Sequence, residues 1–121
     1  MDQAQMIKGI LEGCVLRLVE GRFCYSQEIV NLLRANGFPT MSGGTLFPLL
    51  LRLEKNGYFE TEMVPTGTGP SRKYYRLNET GREALAQFRR QWSGLKQIVD
   101  AILEGSVEDG QRAEDETEQG I

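Results

Sequence analysis

The sequence predicts a mainly α-helical domain of the α+β class, in which three helices lead into a two-stranded hairpin and a long helix follows. Apolar residues recur at helical spacing in four segments, and two short β-forming runs flank a turn rich in Gly and Pro. A length of 121 residues is enough for one ordinary hydrophobic core and too short for two. We therefore expect one small domain that ends in an extended helix.

The first predicted helix spans residues 3–20, where apolar side chains from Met6 to Val19 recur in steps of three and four until Gly21 ends it. Gly9 and Gly13 lie one turn apart on this helix, and each costs about 1 kcal/mol of helix propensity. Such a pair indicates that something packs close to the helix backbone. Two interpretations stay open, a tight crossing with another helix and a partner subunit or ligand against this face.

A second and a third helix follow, each with start and stop signals. Ser26 is the predicted cap of the second helix, and the break at residues 36–39 (NGFP) ends it. Ser42 is the predicted cap of the third helix, Gly57 provides its left-handed exit, and Pro48 is tolerable only near its first turn. The predicted buried face of the third helix consists of Leu46, Leu49, Leu50 and Leu53.

The hairpin is predicted from residues 58–64 (YFETEMV) and 72–77 (RKYYRL), which contain β-forming residues in partly alternating order. The segment PTGTGPS between them holds two Gly and two Pro, so we expect a long, flexible tip. Three helices followed by a hairpin is the order in which a helix-turn-helix acquires a wing. The chain is therefore predicted to be a winged helix-turn-helix with a two-stranded wing.

The last predicted helix begins after Asn78, its predicted cap, and runs to residue 105. Its apolar residues alternate in steps of three and four, as in a coiled-coil seam, over about two and a half heptads. The seam consists of Leu85, Phe88, Trp92, Leu95, Val99 and Ile102.

Negative charge is concentrated at the end of the sequence. The net charge is −3, but residues 106–121 contain six acidic residues against Arg112 alone. The remaining residues 1–105 contain 13 Lys/Arg and 11 Asp/Glu, which is a net charge of +2. A charge of +2 is only weak electrostatic evidence for nucleic-acid binding. Two interpretations of the basic hairpin therefore stay open, a DNA-binding surface and a solvated surface without a binding role.

Enzyme classes that depend on histidine are excluded, because the chain contains none. A Gly-rich phosphate loop and a Cys/His pair are also absent, and Glu28, Glu54, Glu60 and Glu62 are interpreted as solvated surface residues. The two cysteines lack the spacing of a zinc site, so we expect no metal or other cofactor. Without a signal-like start or an apolar run of about 20 residues, we expect a cytoplasmic protein outside the membrane.

Candidate DNA-binding residues lie in the third helix and the hairpin. The first turn of the third helix, which would enter the major groove, has small residues that let its backbone approach phosphates. Phe47 is expected near the exposed side, where it would contact a thymine methyl group or a sugar. Arg72 would lead the wing tip into the minor groove. The predicted set is Ser42, Gly43, Thr45, Phe47, Arg52, Lys55, Arg72, Lys73, Tyr74 and Arg76.

Three motifs occur together and in order, and they resemble the PadR family of winged-helix regulators, named for the control of phenolic acid decarboxylase. They are the grouping of Tyr25, Glu28 and Ile29, the segment GTLFPLLLRLEKNG at 44–57 and the segment RKYYRLNETGREAL at 72–85. The resemblance implies a homodimeric transcriptional repressor that binds a palindromic operator and is released by a small molecule. It also implies that the C-terminal helices pair the subunits, which agrees with the seam.

Two positions depart from the family pattern. Phe47 stands where the family usually has a tyrosine whose hydroxyl contacts phosphate, and Gly43 stands where an acidic residue is frequent. Family members of this length include multidrug-responsive regulators whose dimer encloses a flat pore lined by tryptophans, and Trp92 falls at the matching position. The resemblance therefore implies a small planar aromatic effector, with plain packing of Trp92 as the alternative. The implied effector-binding residues are Gly13, Phe88, Trp92 and Lys96.

These observations divide the chain into a winged-helix DNA-binding domain at 1–78, a dimerisation helix at 79–105 and an acidic, disordered tail at 106–121. The leading hypothesis is a sequence-specific DNA-binding transcriptional regulator that represses as a homodimer on double-stranded operator DNA. The second hypothesis is a protein-interaction module that keeps the winged-helix shape without direct DNA readout. It would hold a partner protein through the long helix and the acidic tail.

Overall fold

The computed structural model describes residues 6–7, 9–105 and 107, and this part of the chain contains one three-stranded antiparallel sheet among its helices. In chain order the elements are α1 (Leu11–Leu18), β1 (Cys24–Tyr25), α2 (Ser26–Ala35), α3 (Gly43–Lys55), β2 (Phe59–Val64), β3 (Arg72–Leu77) and α4 (Glu79–Glu104). The predicted α+β winged helix-turn-helix class is confirmed. The chain divides into one unit that ends at Phe88 and another that begins at Arg89.

The hydrophobic core of the first unit decides which face of α3 stays outside. The predicted buried face is confirmed, because Leu46, Leu49, Leu50 and Leu53 are all buried. Full burial of one leucine side chain stabilises a fold by about 1.5–3 kcal/mol, so four on one face fix the rotation of the helix. Side chains from the other elements complete this core, among them Val15, Val19, Ile29, Leu33, Tyr75, Leu77 and Leu85.

The first helix is shorter than the sequence predicts. Residues 6–7 are helical, Gly9 and Ile10 form a turn, and α1 ends at Leu18 instead of residue 20. Glycine has a low helix propensity, which accounts for the break at Gly9. The expectation that something packs against the helix backbone is confirmed at Gly13, because a side chain there would overlap the Phe88 ring of the same chain. At Gly9 it is not confirmed, because a Cβ there would meet nothing within 4 Å among the described residues. Predicted helical residues 3–5 and residue 8 lie outside the described part.

Helix starts follow the sequence signals with two corrections. The N-cap of α2 is Tyr25 and not Ser26, because Tyr25 remains extended while it pairs with β3. Its backbone N–H donates to Glu28 Oε1 at 3.1 Å. Helix α3 begins after Ser42 as predicted but without a side-chain cap, and it continues through Pro48 in its second turn. Proline has no N–H, so it cannot donate the helical hydrogen bond that position 48 would otherwise make.

The sheet contains the predicted hairpin and one strand that the sequence did not indicate. Strands β2 and β3 pair from Phe59 opposite Leu77 to Val64 opposite Arg72, which confirms the hairpin to within one residue. The added strand β1 contains two residues and pairs with the other edge of β3. The cap of α4 is confirmed, because the N–H of Gly81 donates to Asn78 Oδ1 at 2.8 Å.

Candidate nucleic-acid interface

Helix α3 exposes one face along its whole length, opposite its buried leucines. Ser42, Gly43, Gly44 and Thr45 are exposed at its start, and the first turn contains no acidic residue. The positive end of the helix dipole is therefore not offset by side chains of that turn, which suits an approaching phosphate. Further along, Phe47 is 50% exposed, as the sequence predicts, and Leu51 is 52% exposed.

The C-terminal half of α3 adds cations to this face. Arg52 and Lys55 are exposed in its last turn, and among the described residues neither forms an ion pair. Both are therefore free to neutralise phosphates beside the groove. The helix thus has an uncharged first half and a basic second half.

Lys73 connects the wing to α3. Its Nζ donates to Glu54 Oε2 at 2.5 Å, and both side chains are partly buried. This hydrogen bond to a carboxylate raises the pKa of Lys73 above its ordinary value. The sequence indicated Lys73 as a DNA contact and Glu54 as a solvated residue, but each is the partner of the other. Their side chains join β3 to α3 across 19 positions of sequence.

Arg76 is also held by neighbouring side chains, at the protein surface. It lies opposite Glu60 in the hairpin register, and its guanidinium donates to the two Glu60 carboxylate oxygens at 2.9 and 3.4 Å. The same guanidinium lies 4.3 Å from the centre of the Phe23 ring. Glu60 is therefore an ion-pair partner and not the purely solvated residue that the sequence suggested. A phosphate would have to compete with Glu60 for Arg76.

Arg72 is the wing cation with the most accessible charge. It is exposed, it forms no ion pair within the described part of the chain, and its guanidinium lies 4.5 Å from the centre of the Tyr25 ring. The Tyr25 ring in turn packs edge-on against Tyr74, with 5.3 Å between ring centres. This cation–π contact holds the Arg72 guanidinium on the outer face of the sheet without cancelling its charge.

The residues that sequence reasoning missed are partners of predicted ones. Glu54, Glu60, Phe23 and Tyr25 position the wing cations, and no local pattern marks these pairings because they join separate elements. Leu51 was missed although a signal existed, since it lies four residues after Phe47 and off the buried leucine face.

The predicted effector and dimer residues fall into the two units. Leu85 is 3% exposed and belongs to the core of the first unit, so it is not part of an exposed seam. Phe88 is half-buried against Gly13. In the second unit Lys96 Nζ donates to Asp100 Oδ2 at 2.7 Å. The remaining seam residues of α4 are all exposed, namely Trp92, Leu95, Val99 and Ile102.

Two further predictions concern other parts of the chain. The acidic tail predicted for residues 106–121 lies outside the described residues, apart from Val107. Within the described residues, no helix is long and apolar enough to cross a membrane.

Comparison with known proteins identifies the family. The model of the PadR-like family of transcriptional regulators matches residues 15–87. A protein of Lysinibacillus sphaericus described as "Uncharacterized protein X" is 34% identical over 109 residues, which cover 87% of this chain and 98% of that protein.

Solved structures agree. The crystal structure of a PadR-like transcriptional regulator from Bacillus cereus is 36% identical, covers 84% of this chain and 99% of its own, and superposes with a TM-score of 0.73. A Streptococcus transcriptional regulator is 43% identical, with 83% and 98% coverage and a TM-score of 0.71. A PadR family regulator from Eggerthella lenta is 31% identical, with 84% and 88% coverage and a TM-score of 0.76. The chain therefore belongs to the PadR-like family of transcriptional regulators and is not an enzyme.

Proposed function

We propose that this protein is a sequence-specific DNA-binding repressor that acts in the cytoplasm as a homodimer on a palindromic operator. Helix α3 enters the major groove, and the wing formed by β2 and β3 lies against the neighbouring backbone or minor groove. The observation that carries the proposal is the exposed face of α3, which is free of charge in its first half and basic in its second. Arg72 extends the basic surface onto the wing.

The test is binding of the purified protein to DNA from its own promoter region, measured by fluorescence anisotropy at several salt concentrations. Arg52→Ala with Lys55→Ala removes two cations that form no ion pair among the described residues, so the slope of log affinity against log salt should fall by about 1.8 for each subunit bound. Arg82→Ala is the matched control, because Arg82 is an exposed cation of α4 outside the predicted set. Because the control removes one cation and the test variant two, a slope loss in the control of about half that of the double variant would show that only overall charge matters.

Dimerisation is proposed through the exposed apolar stripe of α4. Trp92, Leu95, Val99 and Ile102 follow one another at steps of three, four and three, so they lie along one side of the helix. Covering such a stripe with a second copy removes apolar surface from water. Leu95→Glu should shift the sedimentation coefficient from dimer to monomer, whereas Gln97→Glu adds the same charge away from the stripe and should leave the dimer intact. A dimer that survives Leu95→Glu would place the interface elsewhere.

A planar aromatic effector is proposed to release the repressor from its operator by contacting Trp92. This side chain is the only tryptophan of the chain and is 39% exposed, so a stacked ligand would quench its fluorescence. The experiment titrates planar aromatic compounds against wild type and Trp92→Ala, reading operator release by anisotropy in both proteins. Quenching in wild type, together with operator release that disappears in Trp92→Ala, supports the proposal. Release that persists in Trp92→Ala refutes this site.

The pairing of wing cations supports a second candidate function. Lys73 and Arg76 are both neutralised by carboxylates, which leaves the wing less basic than its sequence suggests. In this alternative the winged helix holds a partner protein through α4 and residues 106–121. The full chain would then give no shift of promoter DNA at low salt, and it would retain a partner protein that a chain without residues 106–121 loses.

A further inference from the structure

The exposed face of α3 consists of two adjacent rows of residues, and the residue types follow the same order along both rows. Residues Gly43, Phe47, Leu51 and Lys55 follow at steps of four, and so do Gly44, Pro48 and Arg52. All seven are exposed, while the leucines between them face the core. Each row therefore begins with a glycine, continues with one or two exposed apolar residues and ends with a cationic residue. We call these seven residues the α3 ridge.

The first half of the α3 ridge has no side chain that can read a base by paired hydrogen bonds. Bidentate recognition uses Arg or Lys on guanine and Asn or Gln on adenine, while Asp or Glu accepts from cytosine. Between Gly43 and Leu51 the sequence GGTLFPLLL contains none of these, and Thr45 is its only side chain with a hydrogen-bonding group. The N-terminal part of a recognition helix is the part that contacts base edges. Polar readout there is limited to Thr45, Ser42 and the backbone.

Apolar side chains replace the missing polar ones. Phe47 and Leu51 are one helical turn apart on the same side, and each has about half of its surface exposed. The apolar group that base edges present in the major groove is the 5-methyl group of thymine. Gly43 leaves open space beside this pair, since a Cβ there would meet nothing within 4 Å among the described residues. Because Gly43 has no side chain of its own, an approaching duplex meets only helix backbone at this position.

We infer that Phe47 and Leu51 determine sequence specificity by packing against thymine methyl groups, so that each operator half-site presents thymines where the middle of α3 lies. This inference rests on the proposed DNA binding and adds the chemical feature that is recognised. Arg52 and Lys55, at the end of the α3 ridge, hold the flanking phosphates and contribute no base preference. At these positions the affinity then depends on the thymine methyl group and not on the hydrogen-bonding groups of the same base.

The test replaces thymine by deoxyuridine, which removes the methyl group and keeps the base pair. Duplexes selected by the protein from random DNA are resynthesised with deoxyuridine at one thymine of each half-site at a time. For wild type we expect an affinity loss of about fourfold per lost methyl group at one or two positions, which is about fifteenfold when both half-sites are substituted. At each sensitive position, the difference between the thymine and deoxyuridine duplexes should disappear in Phe47→Ala, in Leu51→Ala or in both. Both side chains are exposed, so thermal melting should show both variants folded.

Arg72→Ala is the matched protein control, because it should weaken both duplexes by the same factor and leave their ratio at the wild-type value. Equal binding of all deoxyuridine duplexes by wild type would overturn the inference and leave the proposed function standing. A methyl effect that persists in both alanine variants would also overturn it. Failure to select or bind any duplex at low salt would overturn the proposed function, and the inference with it.

Discussion

The wing should contribute one phosphate contact per subunit through Arg72, although its strand β3 contains three cations. Lys73 and Arg76 are already paired with Glu54 and Glu60, whereas Arg72 forms no ion pair among the described residues and lies against the Tyr25 ring. Each phosphate contact contributes about 0.9 to the slope of log affinity against log salt. Arg72→Ala should therefore lower the slope by about 0.9 for each wing bound.

The size of this effect is measurable by fluorescence anisotropy between 50 and 200 mM salt. A slope difference of 0.9 over a fourfold range of salt changes the ratio of wild-type to variant affinity by about 3.5-fold. The variant should be much weaker than wild type at 50 mM and closer to it at 200 mM. Thermal stability should change little, because the substitution removes an exposed side chain.

The matched control removes the neighbouring ion pair as a whole. Arg76→Gln with Glu60→Gln keeps the net charge of the wing, so the slope should stay at the wild-type value if the pair is structural. A slope that falls in this double variant by as much as in Arg72→Ala would mean that Arg76 leaves Glu60 to bind a phosphate. That result would refute the assignment of a single wing contact. An unchanged slope in Arg72→Ala would remove the wing from the interface.

Two further predictions concern stability. Gly13→Ala forces the Phe88 ring aside and should destabilise the fold by about 1–3 kcal/mol in thermal or urea unfolding. The matched variant Gly9→Ala meets no neighbour among the described residues and should be neutral or slightly stabilising, so equal effects of the two would contradict the packing argument. The pKa of Lys73 is raised in the folded protein by Glu54, so this stabilisation is complete below about pH 10 and is lost as the pH rises further. The melting temperature should therefore fall less between pH 9 and 11 in Glu54→Gln than in wild type, and equal falls would contradict the coupling.

Local patterns in the sequence predicted much of the fold. The leucines of α3 were assigned to the core from spacing alone, because a helical period of 3.6 residues brings them to one face. The hairpin strands and the Asn78 cap were also found, since turn residues and caps act within a few positions of the chain. Strand β1 was missed because two residues are too few for a strand pattern, and its pairing with β3 depends on residues about fifty positions away.

The features of the candidate interface were likewise predicted from the sequence only in part. The positions of the predicted DNA-binding residues on α3 and β3 followed from the order of the elements, and the exposure of Phe47 followed from the helical period. The order of the elements did not predict which of these cations form ion pairs and which do not. Lys73 and Arg72 are neighbours in sequence, yet one side chain is neutralised by Glu54 and the other packs on Tyr25. Alternation along a strand sends neighbouring side chains to opposite faces, and only the packing of α3 and β1 decides what each face meets.

The sequence by itself predicted a winged helix whose third helix has no charged residue in its first half, and its motifs resemble those of a family of regulators. Composition, periodicity and three ordered motifs are sufficient for this, because they depend on residues close together in the chain. Tertiary structure decided that Arg72 is the available cation of the wing, that Leu85 belongs to the core and that Phe88 packs against Gly13. Such outcomes depend on contacts between distant segments, which exist only after burial of the common core brings those segments together.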